Sequence, residues 1–600
     1  MPQQQSKILI QAISAHQAGQ LQQAEALYKT YLSDTDDFNA SQLLGMVYSK
    51  QQKFDLAIKY MGQSLARKHE QPNVHNNLAN CLKRQGRLSE AIDHYRTAIA
   101  LQADYVDAYR NLAMALQEGK EFKLSEQYIN KGLILNPRDP ALHSLSGHLK
   151  KELKDYQGAI SSYETSLLIR PEHAITEHNL GVAHRLNNQP QAALQHYQKL
   201  LNQNITSFEL YQNVGNAYSD IAELDKALAC YRQALALNPA YVDAHRNISS
   251  LLWSLGMKEQ FVQSYEQVFA QNVINDELIL SCVESLLAAE QPSLALEYLD
   301  QWPVANSDHP NYLDFLGRCQ MAAGNQEVAL GFHEQACREN PSNAHLLHFG
   351  ISLLEAGHTD RAAKLLSHVF TVEPDNQYAL SHLTLCWRLL GDEREAKVND
   401  YQQFVGEYFV PTPEGFSNML EFNEFLDSFL MQVHQTKYYP YDQTVRGGTQ
   451  THGNLLTWEN EALRLLIQSF DLCIHEHLNK VAQFDPPFAL FPQTQAFKYS
   501  ASWSVKLKDQ GFHTMHVHPM GWFSSAYYVN LPDDMDQGSR EGWLKFGEPN
   551  FKLHEPLPAQ FYVRPEPGKL ALFPSYMWHG TVPFKAQQTR TTVVFDIVPA

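Results

Sequence analysis

The chain has 600 residues, 44% hydrophobic and 19% charged, with a formal net charge of -18 and a pI near 5.8. That length is more than one hydrophobic core serves, so two or more units are expected, and the composition excludes a disordered chain. The acidic balance excludes a mainly phosphate-backbone partner, since nucleic-acid binding needs clustered Lys and Arg.

The N-terminal stretch MPQQQSKILIQAISAHQ has no charged-then-apolar signal pattern, and no run of eighteen apolar residues occurs, so no export signal or membrane partner is expected. Seven scattered cysteines, Cys81, Cys230, Cys282, Cys319, Cys337, Cys386 and Cys473, form no CxxC pair. They read as reduced core thiols of a cytoplasmic protein.

A period of 34 runs through the first four hundred residues. From Gly45 its steps land on Ala79, Ala113, Gly147, Gly181 and Gly215, and twelve residues beyond each stand Ala57, Ala91, Ser125, Ala159, Ala193 and Ala227. An aromatic column collects Tyr95, Tyr163, Tyr197, Tyr231 and Tyr265, and Pro137, Pro171 and Pro239 close several units. Small residues at two places let antiparallel helices approach, the aromatic fills the gap between units, and proline ends the second helix. The pattern resembles the tetratricopeptide repeat, most closely in LYQNVGNAYSDIAELDKALACYRQALALNP. About eleven units fit between residues 6 and 379, with a partial one to 404; the phase slips near Gly350, and the 244–277 unit is degraded. Such a stack forms an all-α superhelical solenoid with a long concave surface.

Two positions before each small residue lies a second column, Asn77, Asn111, Leu145, Asn179, Asn213 and Asn247. Asparagine carries a donor and an acceptor, which suits either an extended peptide backbone in the groove or the bonding of neighbouring helices in the stack. The column resembles the asparagine ladder of O-linked N-acetylglucosamine transferase repeats, which holds protein substrates. A sugar-nucleotide domain is not recognisable downstream.

Near residue 405 the period stops, and VPTPEG at 410–415 marks a boundary. Helices are predicted around 416–434 and 459–480. Beyond 490 come short alternating segments, AFKYSASWSVKL, WFSSAYYVNLP, GWLKFGEP, KLALFPS and RTTVVFDIV. Their spacing predicts a small sandwich or barrel, with a β jelly roll expected over 410–600.

This region holds His516-Val517-His518-Pro519, then His579, then Arg590. Alternation along a strand puts His516 and His518 on one face and His513 on the other. Imidazole suits iron, copper, zinc and nickel, and three protein ligands leave open positions on a metal. Taken singly, any of the 27 histidines reads as ordinary; the HxHP pair with FPSYMWHGTVPF places three candidate ligands on strand ends of one domain.

SWSVKL, HVHPMGWFSSAYYVNLP, GWLKFGEP, KLALFPSYMWHGTVPF and RTTVVFD, with RGGTQTHGNLL at 446–456, resemble in order and spacing the 2-oxoglutarate and Fe(II) dependent oxygenases found behind tetratricopeptide repeats in bacteria. The resemblance implies a double-stranded β-helix with Fe(II) and 2-oxoglutarate as cofactors. His516, His518 and His579 would take the ligand places, and Arg590 would clamp the far carboxylate of 2-oxoglutarate. Thr592 completes an arginine-x-hydroxyl pattern, and Tyr528 matches a tyrosine that prolyl-hydroxylase-like members set beside that arginine. His518 stands where most of the superfamily has an aspartate or glutamate, so three neutral ligands leave the site one charge more positive. Asp533, Asp534 and Glu541, crowded beside Asp536, read as a solvated turn rather than as a replacement carboxylate. Trp522, Phe523, Trp543 and Trp578 are expected either to exclude water from the site or to serve as barrel core.

The resemblance thus implies a dioxygenase, and fusion to a groove implies a protein or peptide substrate held on the concave surface. Two alternatives stand beside it: a repeat scaffold with a metal-binding but inactive β-helix, and an oxygenase acting on a small molecule or glycan.

Overall fold

The computed structural model describes residues 2–302, 308–434, 443–458, 460–484, 494–535 and 539–600. Its contacts form two compact units: Met1–Asn187 with Ala192–Ile205, and Asn188–Gln191 with Thr206–Ala600. Among the described residues no helix is long and apolar enough to cross a membrane. All seven cysteines are unpaired.

The first unit is a stack of antiparallel helix pairs running from Pro2–Gln17 to Pro190–Asn202. The pair Pro140–Glu152 and Tyr156–Ile169 shows how local sequence sets the repeat. Asp139 caps the first helix by accepting from the N–H groups of Ala141 and Leu142, and Pro140 fills its first turn, where no donor is needed. Asp155 caps the second through the Gly158 N–H. A Cβ on Gly147 would lie 2.7 Å from the Tyr163 ring, so the small residue exists to seat that ring. The aromatic therefore packs on the glycine of its own pair, a contact within the unit where the sequence pointed to one between units.

The second unit continues the repeats from Phe208–Asp220 to Thr359–Val372, with a further helix at Gln377–Leu390. The degraded unit is visible as Val242–Ser254, followed by a 3-10 turn at Lys258–Gln260 and a second helix of only eight residues, Gln263–Ala270.

Nine strands follow among the described residues: β1 Gly406–Phe409, β2 Val445–Gln450, β3 Phe497–His513, β4 Phe523–Asn530, β5 Leu544–Phe546, β6 Phe561–Val563, β7 Lys569–Pro574, β8 His579–Thr581 and β9 Arg590–Pro599. One sheet has the order β1-β7-β4-β9-β3-β2, the other β6-β5-β8, and every ladder is antiparallel. These are the two sheets of the expected double-stranded β-helix, flanked by helices Met419–Val433 and Glu461–Val481. β7 and most of β9 are buried on both faces, which suits the apolar run Leu570, Ala571, Leu572 and Phe573 of the first and the β-branched and aromatic residues of the second.

One apolar core joins the last repeats to the sheets, running through Phe349, Leu383, Trp387, Phe470, Phe573 and Phe595. Polar contacts reinforce it: Trp578 Nε1 donates to the Ser381 carbonyl at 3.0 Å, Tyr576 to the Val398 carbonyl at 2.7 Å, and Arg388 to the carbonyls of Gly547 and Pro558. The β region is thus built onto the final repeat helices, and they share its core.

Candidate metal centre

His516 and His579 face each other across an antiparallel bridge, exchanging backbone hydrogen bonds of 2.9 and 3.0 Å. The His518 backbone N–H donates to the Ser575 carbonyl at 2.9 Å, which ties the third imidazole to the turn leading into β8. Three rings follow from this lacing, with centroids 4.2 Å apart for 516 and 579, and 5.0 Å from each of these to 518. One ligand atom from each lies within 4.8 Å of the others, so the triad can hold a metal ion.

Each ring is oriented by its Nδ1. That of His516 bonds the Thr514 carbonyl at 2.8 Å, that of His579 the Met577 carbonyl at 2.9 Å, and that of His518 the Asp596 carboxylate at 2.7 Å. Carbonyl and carboxylate oxygens only accept, so each Nδ1 carries the proton and each Nε2 presents its lone pair inward. Burial and the neighbouring rings push the His516 and His579 pKa values well below the usual 6.5, keeping these rings neutral as metal binding requires.

The rings line a cavity of about 560 Å³. Alternation along β9 sends Arg590, Thr592, Val594 and Asp596 to its wall. Arg590 is 3% exposed, and its Nε and Nη1 are buried without a hydrogen-bond partner. Desolvation lowers its pKa. An unpaired buried guanidinium is destabilising by several kcal/mol, and a carboxylate in the cavity would offset that penalty. Tyr528, opposite Thr592 in the β4–β9 ladder, is fully buried and sets its ring 5.1 Å from the Arg590 guanidinium carbon. Its hydroxyl is buried beside that guanidinium and interacts with it.

Other sequence expectations land differently. His513 lines the same cavity and stacks on His516 at 5.8 Å, because β3 ends at His513 and strand alternation does not continue to 516. The rings beside the triad are Phe573, 4.5 Å from His579, and Trp503, 5.7 Å from His518. Trp578 instead turns to the repeat helices through Ser381. Asp533 and Asp534 are exposed; Asp534 and Glu541 accept from the backbone of Gln587 and Lys585, so these acids fasten a surface turn. Asp536 lies outside the described residues.

In the repeats, Asn77, Asn111, Asn179, Asn213 and Asn247 are all half-buried. Asn111 donates to Asn76 at 2.9 Å and Asn247 to Asn216 at 3.0 Å, in each case across to the preceding repeat. Two of the five therefore use their amide nitrogen to bond the stack.

Residues given no separate role in the sequence are Asp596, His452 and Ser250. Asp596 was reachable, since it shares the even parity of Arg590 in RTTVVFD. His452 lies within RGGTQTHGNLL but was given no role there, whereas Ser250 carries no motif and comes to the cavity only through the tertiary fold.

A family model described as "Putative 2OG-Fe(II) oxygenase" matches residues 501–596. Models described as "Tetratricopeptide repeat" match 36–104, 82–149 and 141–173, and one described as "TPR repeat" matches 223–256. Among curated proteins, human tetratricopeptide repeat protein 21B is 20% identical over 49% of this chain and 24% of its own length. The chloroplastic tetratricopeptide repeat domain-containing protein PYG7 of Arabidopsis thaliana is 26% identical over 21% of this chain and 44% of its own. The chain thus spans less than half the length of either relative. Among solved structures, a tetratricopeptide repeat protein from Parabacteroides merdae is 14% identical, with a TM-score of 0.36 over 44% of this chain and 98% of that one. YrrB, titled a TPR protein with an unusual peptide-binding site, is 17% identical, with a TM-score of 0.27 over 31% of this chain and 95% of that one. The family models thus read the chain as tetratricopeptide repeats followed by a C-terminal region that matches the "Putative 2OG-Fe(II) oxygenase" domain.

Proposed function

We propose that the protein is a 2-oxoglutarate and Fe(II) dependent dioxygenase that hydroxylates a protein or peptide held by the concave face of its repeats. The observation that carries this reading is the placing of an unpaired buried arginine in the same cavity as three convergent imidazoles. His516, His518 and His579 would hold the metal through Nε2. Arg590 would bind the distal carboxylate of 2-oxoglutarate as a two-point ion pair, with Thr592 adding a hydroxyl and Tyr528 fixing the guanidinium from the side.

Asp596 answers the missing carboxylate ligand. Through His518 it sets a negative charge one hydrogen bond away from the metal position and fixes the orientation of that imidazole. Three neutral donors with an outer carboxylate fit a divalent ion with positions left open.

The bound metal would supply the oxygen chemistry, in which one oxygen atom of O2 enters a substrate C–H bond as hydroxyl and the other enters succinate as 2-oxoglutarate loses carbon dioxide. Phe573 and Trp503 set apolar rings 4.5 Å from His579 and 5.7 Å from His518. The unpaired cysteines fit a reducing, cytoplasmic setting.

Anaerobic titration of the full chain with Fe(II) and 2-oxoglutarate tests the reading through the visible charge-transfer band of the chelate. The band is expected in the wild type, absent in His516→Ala, and weakened in Arg590→Ala. A band indifferent to both changes would place the site elsewhere.

A further inference from the structure

The β-sheets alone do not enclose the metal cavity. Ser250, on the repeat helix Val242–Ser254, lines it together with His452 and Gly453. Two contacts fasten the 443–453 segment against flanking repeats. Arg446 pairs with Glu290 at 2.8 Å, just beyond helix Asp276–Ala288. Gly453, at a φ of +72°, comes so close to the end of helix Phe208–Asp220 that a Cβ there would sit 2.7 Å from the Asp220 carbonyl oxygen. Three successive repeats therefore hold one wall of the cavity in place.

One polar atom at this wall is left over. His452 Nε2 is buried without a hydrogen-bond partner, and burial lowers the ring's pKa to about 4, so it is neutral near pH 7. The charged side chains among the lining residues are Arg590 and Asp596, the first proposed above to bind the 2-oxoglutarate carboxylate and the second bound to His518. On the side of helix Val242–Ser254 and the 443–453 segment the polar lining is Ser250, Gln443, Thr444, Gln450, Thr451 and His452, all uncharged. A charged side chain entering here would lose its hydration with no counter-ion, whereas an uncharged one would not.

The approach to this wall is also defined. Ser250 stands one helical turn after Asn247, on the same face of the same helix. Asn247 has committed its amide nitrogen to Asn216, which leaves its oxygen to accept a peptide N–H. We infer that Ser250 and His452 form a substrate subsite at the mouth of the cavity, and that its ligand is an uncharged residue of an extended polypeptide arriving along the repeat helices. Both the reaction performed there and the discrimination against acidic residues rest on the oxygenase reading, in which 2-oxoglutarate occupies Arg590; the place of the subsite does not.

The test uses the full chain, loaded anaerobically with Fe(II) and 2-oxoglutarate, and two pools of ten-residue peptides. One pool is built from Gly, Ser, Asn, Gln, Pro and Leu, the other carries Asp, Glu or Lys at its centre, and retention is read by ultrafiltration with mass spectrometry. The wild type is expected to retain the neutral pool over the charged one. Retention should fall at least tenfold in Ser250→Trp, several-fold in His452→Ala and by an intermediate amount in Ser250→Gln, while the chelate band persists in all three as evidence of an intact fold. Equal retention by Ser250→Trp, preference for the charged pool, or no retention by the wild type would overturn the subsite. A missing chelate band in the wild type would instead remove the oxygenase reading, with peptide retention still deciding the subsite.

Discussion

The repeats and the β region each bury histidine against a carboxylate, with opposite results. In the repeats Asp314 spends both oxygens, accepting from His333 Nδ1 at 3.1 Å and His348 Nδ1 at 2.7 Å. His333 stands 68 residues after Tyr265, in step with the aromatic column, and its ring covers Gly317 as Tyr163 covers Gly147. It is a packing ring with a polar anchor. In the β region Asp596 holds one imidazole by Nδ1, and the free Nε2 atoms of three rings point at one another. Burial and pairing are common to both places, so neither marks a functional site; convergence of open donor atoms does.

That contrast can be broken most sharply by removing one member from each cluster. His579→Ala takes away a convergent donor and should weaken metal binding by more than the roughly 10- to 100-fold typical of outer-shell changes, with little effect on folding. Equilibrium dialysis with Fe(II) or Co(II) measures it. Asp314→Ala leaves two imidazoles without their acceptor and should lower stability by about 3 to 5 kcal/mol in urea titrations, since a buried pair loses one partner. The metal affinity should not move. Equal metal affinity in His579→Ala, or a metal defect in Asp314→Ala, would erase the distinction.

Asp596→Asn sharpens the comparison by a smaller amount. The amide can still accept from His518 Nδ1 but carries no charge, so ring orientation survives while the negative charge beside the metal position is lost. Metal affinity should drop about 10- to 100-fold, and an unchanged value would leave Asp596 a structural residue like Asp314.

The same contrast explains what could be read from the sequence. The repeats were legible because pair after pair seats a large side chain on a small residue, Tyr163, Tyr197 and Tyr231 on Gly147, Gly181 and Gly215 and His333 on Gly317, so the physical requirement recurs every 34 residues and even the shortened helix at Gln263–Ala270 shows as a lapse in the pattern. The three histidines were legible as a set through their motif. His513 was not, because the alternation rule was applied past the end of β3. Ser250 was not, because the fold brings a repeat helix against a segment two hundred residues later, and no local pattern records that. Nor was the role of Trp578, whose indole meets the Ser381 carbonyl of the last repeats rather than the metal cavity.

The smallest effect concerns the histidines that neither cluster uses. His382, on helix Gln377–Leu390, stacks on Phe551 and meets Trp578 edge-to-face, and burial lowers its pKa to about 4. His477, beneath Tyr408 and Phe523, is lowered to about 3 for the same reason. In the unfolded chain both return to about 6.5, so below that pH the unfolded state binds more protons than the folded one. Their contribution is therefore complete above pH 6.5 and is lost as the pH falls toward 4 and 3. Between pH 7 and pH 6 each should remove about 0.7 kcal/mol of stability. Urea midpoints by circular dichroism at the two pH values, in wild type and His382→Phe, isolate one group from the rest: the substitution should shrink the pH-dependent drop by about that amount. An unchanged drop would mean that His382 reaches protons in the folded state, and that the joint between repeats and sheets is open to water.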